Sequence, residues 1–408
     1  MDDRTIKNYI LISDLGGGGA ERQVSHIMHL EEVTKVFLLY PTIVYNVPQH
    51  KVECLFPNFH QPGLWQKIQL FFLLPSRLKK AGLKPGDQLF CFLQIAYLLG
   101  LWCKFLLGIK FITCLRTSPF GFYENFKGLK IPQFLFKFIL KQAKEVIINS
   151  KQSGTELRTR WKLDNVRIIE NGYDYALITK QAQEVDLVPD FFESFNTFIT
   201  VGRLVHDKGQ WHLIRIFAEL KKERSDLKFI IAGQGPLLEP LTNVCHLYGL
   251  KVFRSDHNEP LNASFDVYFI GFQKNPYSWI RRCKLFLLSS LYEGLPNVLI
   301  ESLLLEVPVI SSDCKSGPRE ILFTHNEALP ETLAKPAHSS YGILMPPFSG
   351  EENFTTSALH SVEQLWFQEI KSLLDHPLQL QAMMMSSKDI QSRYGLKPIL
   401  AFWRKAFS

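Results

Sequence analysis

The chain lacks any cysteine pair with metal-ligand or redox spacing. Its seven cysteines (Cys54, Cys91, Cys103, Cys114, Cys245, Cys283 and Cys314) are odd in number, form no CxxC and sit in apolar surroundings. That argues against a disulfide framework and a zinc site, and for reduced, buried thiols in a cytosol-like compartment. No uncharged apolar run reaches the about 20 residues that a membrane-spanning helix needs. The nearest, residues 89–103, is stopped by Lys104 and reads as buried core. The opening Met1-Asp2-Asp3-Arg4-Thr5 starts acidic, and the apolar run after it has only strand length. No cleaved leader is therefore expected. Internal repeats, low-complexity tracts and a GxGxxG dinucleotide fingerprint are also missing. What is there is an ordinary globular composition, 46% apolar and 21% charged, over 408 residues, a length that suits two domains.

Charge is unevenly spread. Residues 51–150 carry fourteen Lys and Arg against four Asp and Glu, in a Phe-rich context. Two segments there read as basic, amphipathic helices. Trp65 to Lys80 sets Ile68, Phe71, Phe72 and Leu73 beside Lys67, Arg77 and Lys79, with Pro75 as the expected break. Phe122 to Lys144 interleaves Phe126, Ile131, Phe134 and Phe138 with Lys127, Lys130, Lys137 and Lys141. An anionic membrane surface fits such a face, and a solvated basic face over a buried aromatic core is the alternative. No nucleic-acid-binding motif accompanies the charge, so no nucleic-acid partner is expected.

Short apolar runs alternate with helical patterns along the chain. Tyr9 to Leu15, Val36 to Leu39, Gln88 to Phe92, Lys110 to Leu115, Glu145 to Asn149 and Val166 to Glu170 read as strands of a first parallel sheet. Gly16-Gly17-Gly18-Gly19 follows the first of them and leads into a helix. Bare backbone there can approach a phosphate, or simply form a tight turn. Residues 176–196 are polar and weakly periodic, and read as a linker. The alternation then restarts with Phe198 to Val201, Phe229 to Ala232, Val267 to Ile270, Lys284 to Leu288 and Val307 to Ser311. The resulting expectation is an α/β protein with an N-terminal domain over 1–175, a C-terminal domain over 197–385 and a C-terminal helix over 386–408 that packs back on the first domain.

One stretch carries most of the chemistry. Glu293 and Glu301 stand eight residues apart, with Gly294-Leu295-Pro296-Asn297 after the first. The pattern predicts a strand-to-helix loop at Glu293 and places Glu301 about one turn inside the helix. The N–H groups of Asn297, Val298 and Leu299 would open that helix, a start that attracts anions. Two surface glutamates beside an ordinary helix are the alternative.

With Gly16 to Arg22, these residues make a recognisable series. It continues through Asn171-Gly172-Tyr173-Asp174, Gly202-Arg203-Leu204 with Lys208-Gly209, Gly233-Gln234-Gly235, Glu293 to Glu301, and Ser316-Gly317-Pro318-Arg319-Glu320. In that order the chain resembles family 4 of the glycosyltransferases, and within it the bacterial transferases that build capsule, lipopolysaccharide or lipid-linked glycans. The resemblance implies the GT-B fold, two Rossmann-like domains with parallel sheets facing a central cleft. It implies a retaining, metal-independent transfer of a hexose from a nucleotide sugar, UDP-linked first and GDP-linked second, to a glycan or lipid-linked acceptor. No cofactor is implied. The expected location is cytoplasmic, peripheral on the inner face of the membrane.

Residue by residue, the resemblance places Arg203 and Lys208 on the diphosphate and Glu293 at the sugar hydroxyls, these three being the catalytic set. Gly294, Leu295, Asn297, Val298 and Leu299 lie along the donor, Glu301 at the ribose, Gly271 and Phe272 at the base, and Gly16, Gly17 and Gly18 at the diphosphate or acceptor. Two positions depart from the pattern. Arg116 stands where a His is common, as an acceptor or phosphate contact or as a surface charge. Glu306 stands where Gly is common. A catalytically silent nucleotide-sugar scaffold and a phosphorylase or epimerase of the same fold remain the other readings.

Overall fold

The alternating runs form two separate parallel sheets, each covered by helices on both faces. The structure is a computed structural model that describes residues 5–59, 63–119, 132–184, 188–314, 316–323, 329–383 and 387–408, with the side chains of Leu64 and Ser387 left out. Phe126, Lys127, Lys130 and Ile131, part of the expected basic aromatic helix, lie outside the described residues.

The first sheet comprises β1 (Asn8–Ile12), β2 (Val33–Leu38), β3 (Val52–Cys54), β4 (Gln88–Phe92), β5 (Lys110–Leu115), β6 (Glu145–Ile148) and β7 (Val166–Ile168). Its spatial order is β3-β2-β1-β4-β5-β6-β7, and every neighbouring pair is parallel. Helices α1 (Gly19–Ile27), α2 (Leu64–Lys80), α3 (Gln94–Leu107), α4 (Gln133–Gln142) and α5 (Lys151–Arg160) connect these strands. Side chains alternate between the faces as the pleat requires. Tyr9, Leu11, Leu89 and Phe111 fill one core. Ile10, Ile12, Phe90, Phe92 and Ile112 fill the other.

Helix α2 does not break at Pro75, contrary to expectation. Proline there removes one helical hydrogen bond, but Leu70, Leu74 and Leu78 on one face are fully buried and hold the turn in place.

The second unit holds α6 (Tyr175–Ala182), β8 (Asn196–Val201), α7 (Gln210–Glu223), β9 (Leu227–Ala232), α8 (Leu238–Leu247), β10 (Val252–Arg254), β11 (Val267–Gly271), α9 (Tyr277–Arg281) and β12 (Leu285–Leu288). It continues with α10 (Asn297–Leu304), β13 (Val309–Ser312), α11 (Pro318–Leu322), β14 (Ala337–His338), β15 (Ile343–Met345), α12 (Ser361–Asp375), α13 (Pro377–Ala382) and α14 (Ser387–Tyr394). The sheet runs β10-β11-β9-β8-β12-β13-β15-β14, parallel except for the antiparallel edge pair β14/β15. Ile199, Ile230 and Phe286 face one core, and Phe198, Phe229 and Leu285 the other.

Two of the expected boundaries change. The segment read as a linker carries α6 and a short 3₁₀ turn, Asp190–Ser194, and belongs to the second unit. Ile178, Ala182, Val188 and Phe192 are buried in that unit's core, although their spacing shows no clear period. The expected C-terminal helix is divided. Helix α14 belongs to the second unit, through Ile390 and Tyr394, whereas α15 (Leu396–Phe407) belongs to the first. Ile399, Trp403, Ala406 and Phe407 of α15 complete the core on one face of the first sheet. The Asn8 side chain donates to the Phe407 carbonyl at 2.8 Å, and Gln88 Nε2 donates to Asn8 Oδ1 at 2.9 Å.

Candidate active site

In the second unit, β8 and β12 are neighbours at the point where strand order reverses: β9 follows on one side and β13 on the other. Ligands of open α/β sheets bind beyond the carboxyl ends of the strands at such a point. The loop after β8 carries Arg203 and Lys208, and the loop after β12 carries Glu293. The two loops are fastened together. Ser289 Oγ donates to the Lys208 carbonyl at 2.7 Å, and the Leu291 N–H to the Asp207 carbonyl at 2.9 Å. Gly209 allows this approach: its φ is +59°, and a Cβ there would lie 2.7 Å from the Ser289 carbonyl oxygen. The outcome is an ion pair between Lys208 Nζ and Glu293 Oε1 at 2.5 Å. Arg203 is exposed, and its side chain has no hydrogen-bond partner among the described residues.

The Glu293 loop is held from two sides. Ser290 Oγ donates to Glu293 Oε1 at 2.7 Å, and Ser316 Oγ to the Glu293 carbonyl at 2.6 Å and the Gly294 carbonyl at 3.3 Å. Gly317, at φ +91°, lies so close that a Cβ would meet Pro296 Cδ at 2.5 Å and the Gly294 carbonyl oxygen at 2.7 Å. Helix α10 then starts at Asn297 without a side-chain cap. The Leu299 N–H, expected to be open, already donates to the Pro296 carbonyl at 3.2 Å. Asn297 Oδ1 accepts from the Tyr173 hydroxyl at 2.5 Å. Leu295 and Leu299 are buried and Val298 is half-buried. Glu301 is 0% exposed, so its carboxylate lies inside the fold.

Gly271 and Gln234 join the same loops through backbone bonds, on the side expected to hold the base. The Gly233 N–H donates to the Gly271 carbonyl at 2.8 Å, and the Leu204 N–H to the Gln234 carbonyl at 2.9 Å. Phe272 beside Gly271 is 48% exposed. Burial pushes the Tyr292 phenol well above its ordinary value, and the neighbouring Asp207 carboxylate pushes it further. Burial likewise raises the Cys314 thiol far above the usual range, which leaves it inert. Behind the site, His212 Nδ1 lies 2.7 Å from Glu363 Oε1, and Arg215 Nε donates to the same oxygen at 3.0 Å. Burial would raise the Glu363 carboxyl, but the bonds from His212 and Arg215 outweigh it and hold the pKa at about 2. Arg215 also donates to the carbonyls of Thr355, Ser357 and Ala358, which straps that segment onto α7.

In the first unit, Gly16, Gly17 and Gly18 follow β1 and lead into α1. The Gly16 N–H donates to Asp14 Oδ1 at 2.8 Å, and the Gly18 carbonyl accepts from the Tyr45 hydroxyl at 3.0 Å. Arg116, at the end of β5, does not stand on the surface. It is 9% exposed, donates to Asn171 Oδ1 at 3.0 Å, and its guanidinium carbon lies 5.1 Å and 5.2 Å from the ring centroids of Phe92 and Trp403.

Ser290 and Ser316 hold Glu293 in place and Tyr173 holds Asn297, roles not assigned to them by sequence reasoning. A serine in a loop carries no periodic signal. Ser316 adopts φ +60°, which only coordinates reveal. Among the described residues no group of three or more His, Cys, Asp or Glu could hold a metal ion, and no helix is long and apolar enough to cross a membrane.

Residues 184–336 match the family profile of the glycosyl transferases group 1. Over 326 residues the chain is 31% identical to the N-acetylgalactosamine-N,N'-diacetylbacillosaminyl-diphospho-undecaprenol 4-alpha-N-acetylgalactosaminyltransferase of Campylobacter jejuni, an alignment covering 76% of this chain and 82% of that protein. It is 32% identical over 290 residues to an uncharacterised glycosyltransferase of Methanocaldococcus jannaschii, covering 70% of this chain and 66% of the relative. The chain belongs to the group 1 glycosyl transferases. Its architecture, two parallel-dominated sheets clothed in helices, is the GT-B fold. It matches Anabaena HepE crystallised with UDP and glucose at a TM-score of 0.69 and 19% identity, over 98% of this chain and 99% of that one. It matches the sucrose-phosphate synthase of Thermosynechococcus elongatus at 0.73 and 16% identity, over 98% of each chain.

Proposed function

We propose that this glycosyltransferase is a retaining enzyme that moves a hexose from a nucleoside-diphosphate sugar, UDP-linked first and GDP-linked second, to a glycan or lipid-linked acceptor in the assembly of cell-envelope polysaccharide or glycoconjugate. The observation that carries the reading is the meeting of Lys208 and Glu293 beyond β8 and β12, with Arg203 exposed on the same loop. Cleaving a sugar–phosphate bond leaves new negative charge on the diphosphate, and fixed cations aimed at it lower the barrier. Lys208 and Arg203 supply those cations without a metal, and the uncapped start of α10, with Gly294 and Leu295 before it, adds backbone dipoles. Glu293 accepts from the sugar hydroxyls. Gly271 and Phe272 line the base, and Glu301, fully buried behind the start of α10, supports the ribose side of the site from within the fold. The acceptor attacks the face that the leaving group departs from, and a diphosphate oxygen takes its proton. The first unit's Gly16–Gly18 turn offers bare backbone to a phosphate. Arg116, which donates to Asn171 and lies against Phe92 and Trp403, keeps its reading as an acceptor or phosphate contact of the first unit.

The Campylobacter relative's name gives a polyprenyl-diphosphate-linked acceptor and N-acetylgalactosamine as the transferred sugar. An acceptor of that kind lies at a membrane, and the surface of the first unit supports the same reading. Trp65 (79% exposed) and Phe72 on α2, Phe105 on α3 and Phe134 (76% exposed) on α4 all face outward, with Lys67, Lys104, Lys137 and Lys141 on the same helices. Aromatic rings among lysines suit an anionic lipid surface, which would place the enzyme on the cytoplasmic face of a membrane. Two measurements test the proposal. A thermal-shift panel of nucleotides and nucleotide sugars must show a donor that raises the melting temperature; no shift with any UDP or GDP compound would refute the donor site. In flotation, the protein is expected to rise with anionic vesicles and to lose that preference when Trp65, Phe72, Phe105 and Phe134 are all replaced by Ser. Equal recovery with neutral and anionic vesicles would remove the membrane role.

A further inference from the structure

Without a donor, the cation assigned to the diphosphate is already taken by the carboxylate assigned to the sugar. Lys208 Nζ sits 2.5 Å from Glu293 Oε1, and their side chains are only 22% and 12% exposed, so water screens the pair weakly. The backbones that carry the pair are held close together. Lys208 is pinned at its carbonyl by Ser289, and Glu293 at its carbonyl by Ser316. Both bonds to the Glu293 carboxylate, from Lys208 and Ser290, fall on Oε1, and Oε2 has no partner among the described residues. Arg203, exposed and without a side-chain partner among the described residues, is open to any diphosphate.

We propose that Glu293 determines specificity by occupying Lys208 whenever no sugar is bound, so that the site favours an intact nucleotide sugar over the bare nucleoside diphosphate. The inference rests on the donor site described above. A diphosphate arriving alone must draw Lys208 away, and it leaves the Glu293 carboxylate facing its own negative charge with Ser290 as the remaining donor. Removing one member of a half-buried ion pair from the other is unfavourable. A diphosphate that carries a sugar brings hydroxyl donors within reach of Oε2, and these replace the lost lysine. The spent nucleotide is thereby released more readily than the donor is.

The test is calorimetric titration of the wild type, Glu293→Gln and Ser290→Ala. The ligands are UDP and whichever of UDP-glucose, UDP-N-acetylglucosamine and UDP-N-acetylgalactosamine binds the wild type most tightly. Glu293→Gln is expected to bind UDP about fivefold more tightly, the scale of a partly exposed ion pair, and the UDP-sugar no more tightly than the wild type does. Ser290→Ala keeps the Lys208 pair but leaves Glu293 without a donor once Lys208 moves, so it is expected to bind UDP no more tightly than the wild type does. Equal tightening of both ligands by Glu293→Gln would be plain removal of a negative charge, and would overturn the proposal. Unchanged UDP binding with weaker UDP-sugar binding would make Glu293 a sugar contact only, and would overturn it too. If UDP tightened in Ser290→Ala, the effect would belong to the loop and not to the ion pair. A wild type that binds neither UDP nor any of the sugars would refute the donor site itself. Wild-type binding of UDP without tightening in Glu293→Gln would refute this inference alone.

Discussion

The two units share a plan and differ in what they place at the point where strand order reverses. In the first, the loop after β1 offers glycine backbone and almost no side chain. In the second, the loops after β8 and β12 deliver a lysine, an arginine and a glutamate. Their outer helices differ as well. The helices of the second unit bury Trp211 and Trp366, whereas those of the first expose Trp65, Phe72, Phe105 and Phe134. In the proposed function, related topologies thus serve fixed chemistry in one unit and contact with an outside surface in the other. Sheet topology alone decides neither role; the loops and outer faces do.

That contrast can be broken or sharpened by mutation. The largest effect is expected from Trp403→Ala. Trp403 is 1% exposed, stacks with Phe92 and lies against the Arg116 guanidinium. Truncating a buried tryptophan typically costs about 3–5 kcal/mol. Denaturant unfolding should show the first unit failing while donor-induced stabilisation of the second persists. Next, Lys208→Ala should lower kcat about 10²- to 10³-fold, the scale of losing one group that stabilises developing charge. Its melting temperature should stay near the wild-type value. Wild-type-like transfer by this variant would move the site elsewhere. Glu301→Ala is a poorer probe, because a fully buried carboxylate also supports the fold.

A third effect is pH-dependent and confined to the second unit. Glu363 is held near pKa 2, below its ordinary 4.5, so its contribution to stability is complete above pH 4.5 and disappears as pH falls toward 2. Burial also lowers the His212 pKa below 6.5, so protonating it in acid destabilises the fold in the same direction. Acid titration followed by tryptophan fluorescence should show a loss that Glu363→Gln makes flatter between pH 4.5 and 2. The smallest effect is expected from Glu306→Gly. Glu306 follows α10 at φ +60°, which explains why glycine is common there. A left-handed residue other than glycine costs about 1–2 kcal/mol, and glycine's greater freedom in the unfolded chain returns part of that. The substitution should stabilise by up to about 1 kcal/mol in thermal melts.

Legibility in the sequence followed burial. β4 and β5 were bounded to the residue, because each is a mostly apolar run that opens on a polar residue, Gln88 or Lys110. β3 and β10, three residues each at the sheet edges, and the pair β14/β15 carry too few residues to show a period. The motif residues of the second unit were legible through glycine spacing and charge type. Their pairing was not, since Lys208 and Glu293 lie 85 positions apart and meet only through the sheet. Nor was the burial of Arg116, which depends on an aromatic ring almost three hundred residues downstream.

Helix α15 has a consequence for biosynthesis. The chain leaves the first unit after Gly172 and re-enters it at Leu396, so the second unit is an uninterrupted stretch and the first is not. Domains usually fold in the order in which they are made. Here the second unit can close on itself while the first still lacks Trp403 and Phe407, and one face of its sheet stays only partly covered until the ribosome has delivered them. Translation therefore finishes the first unit last.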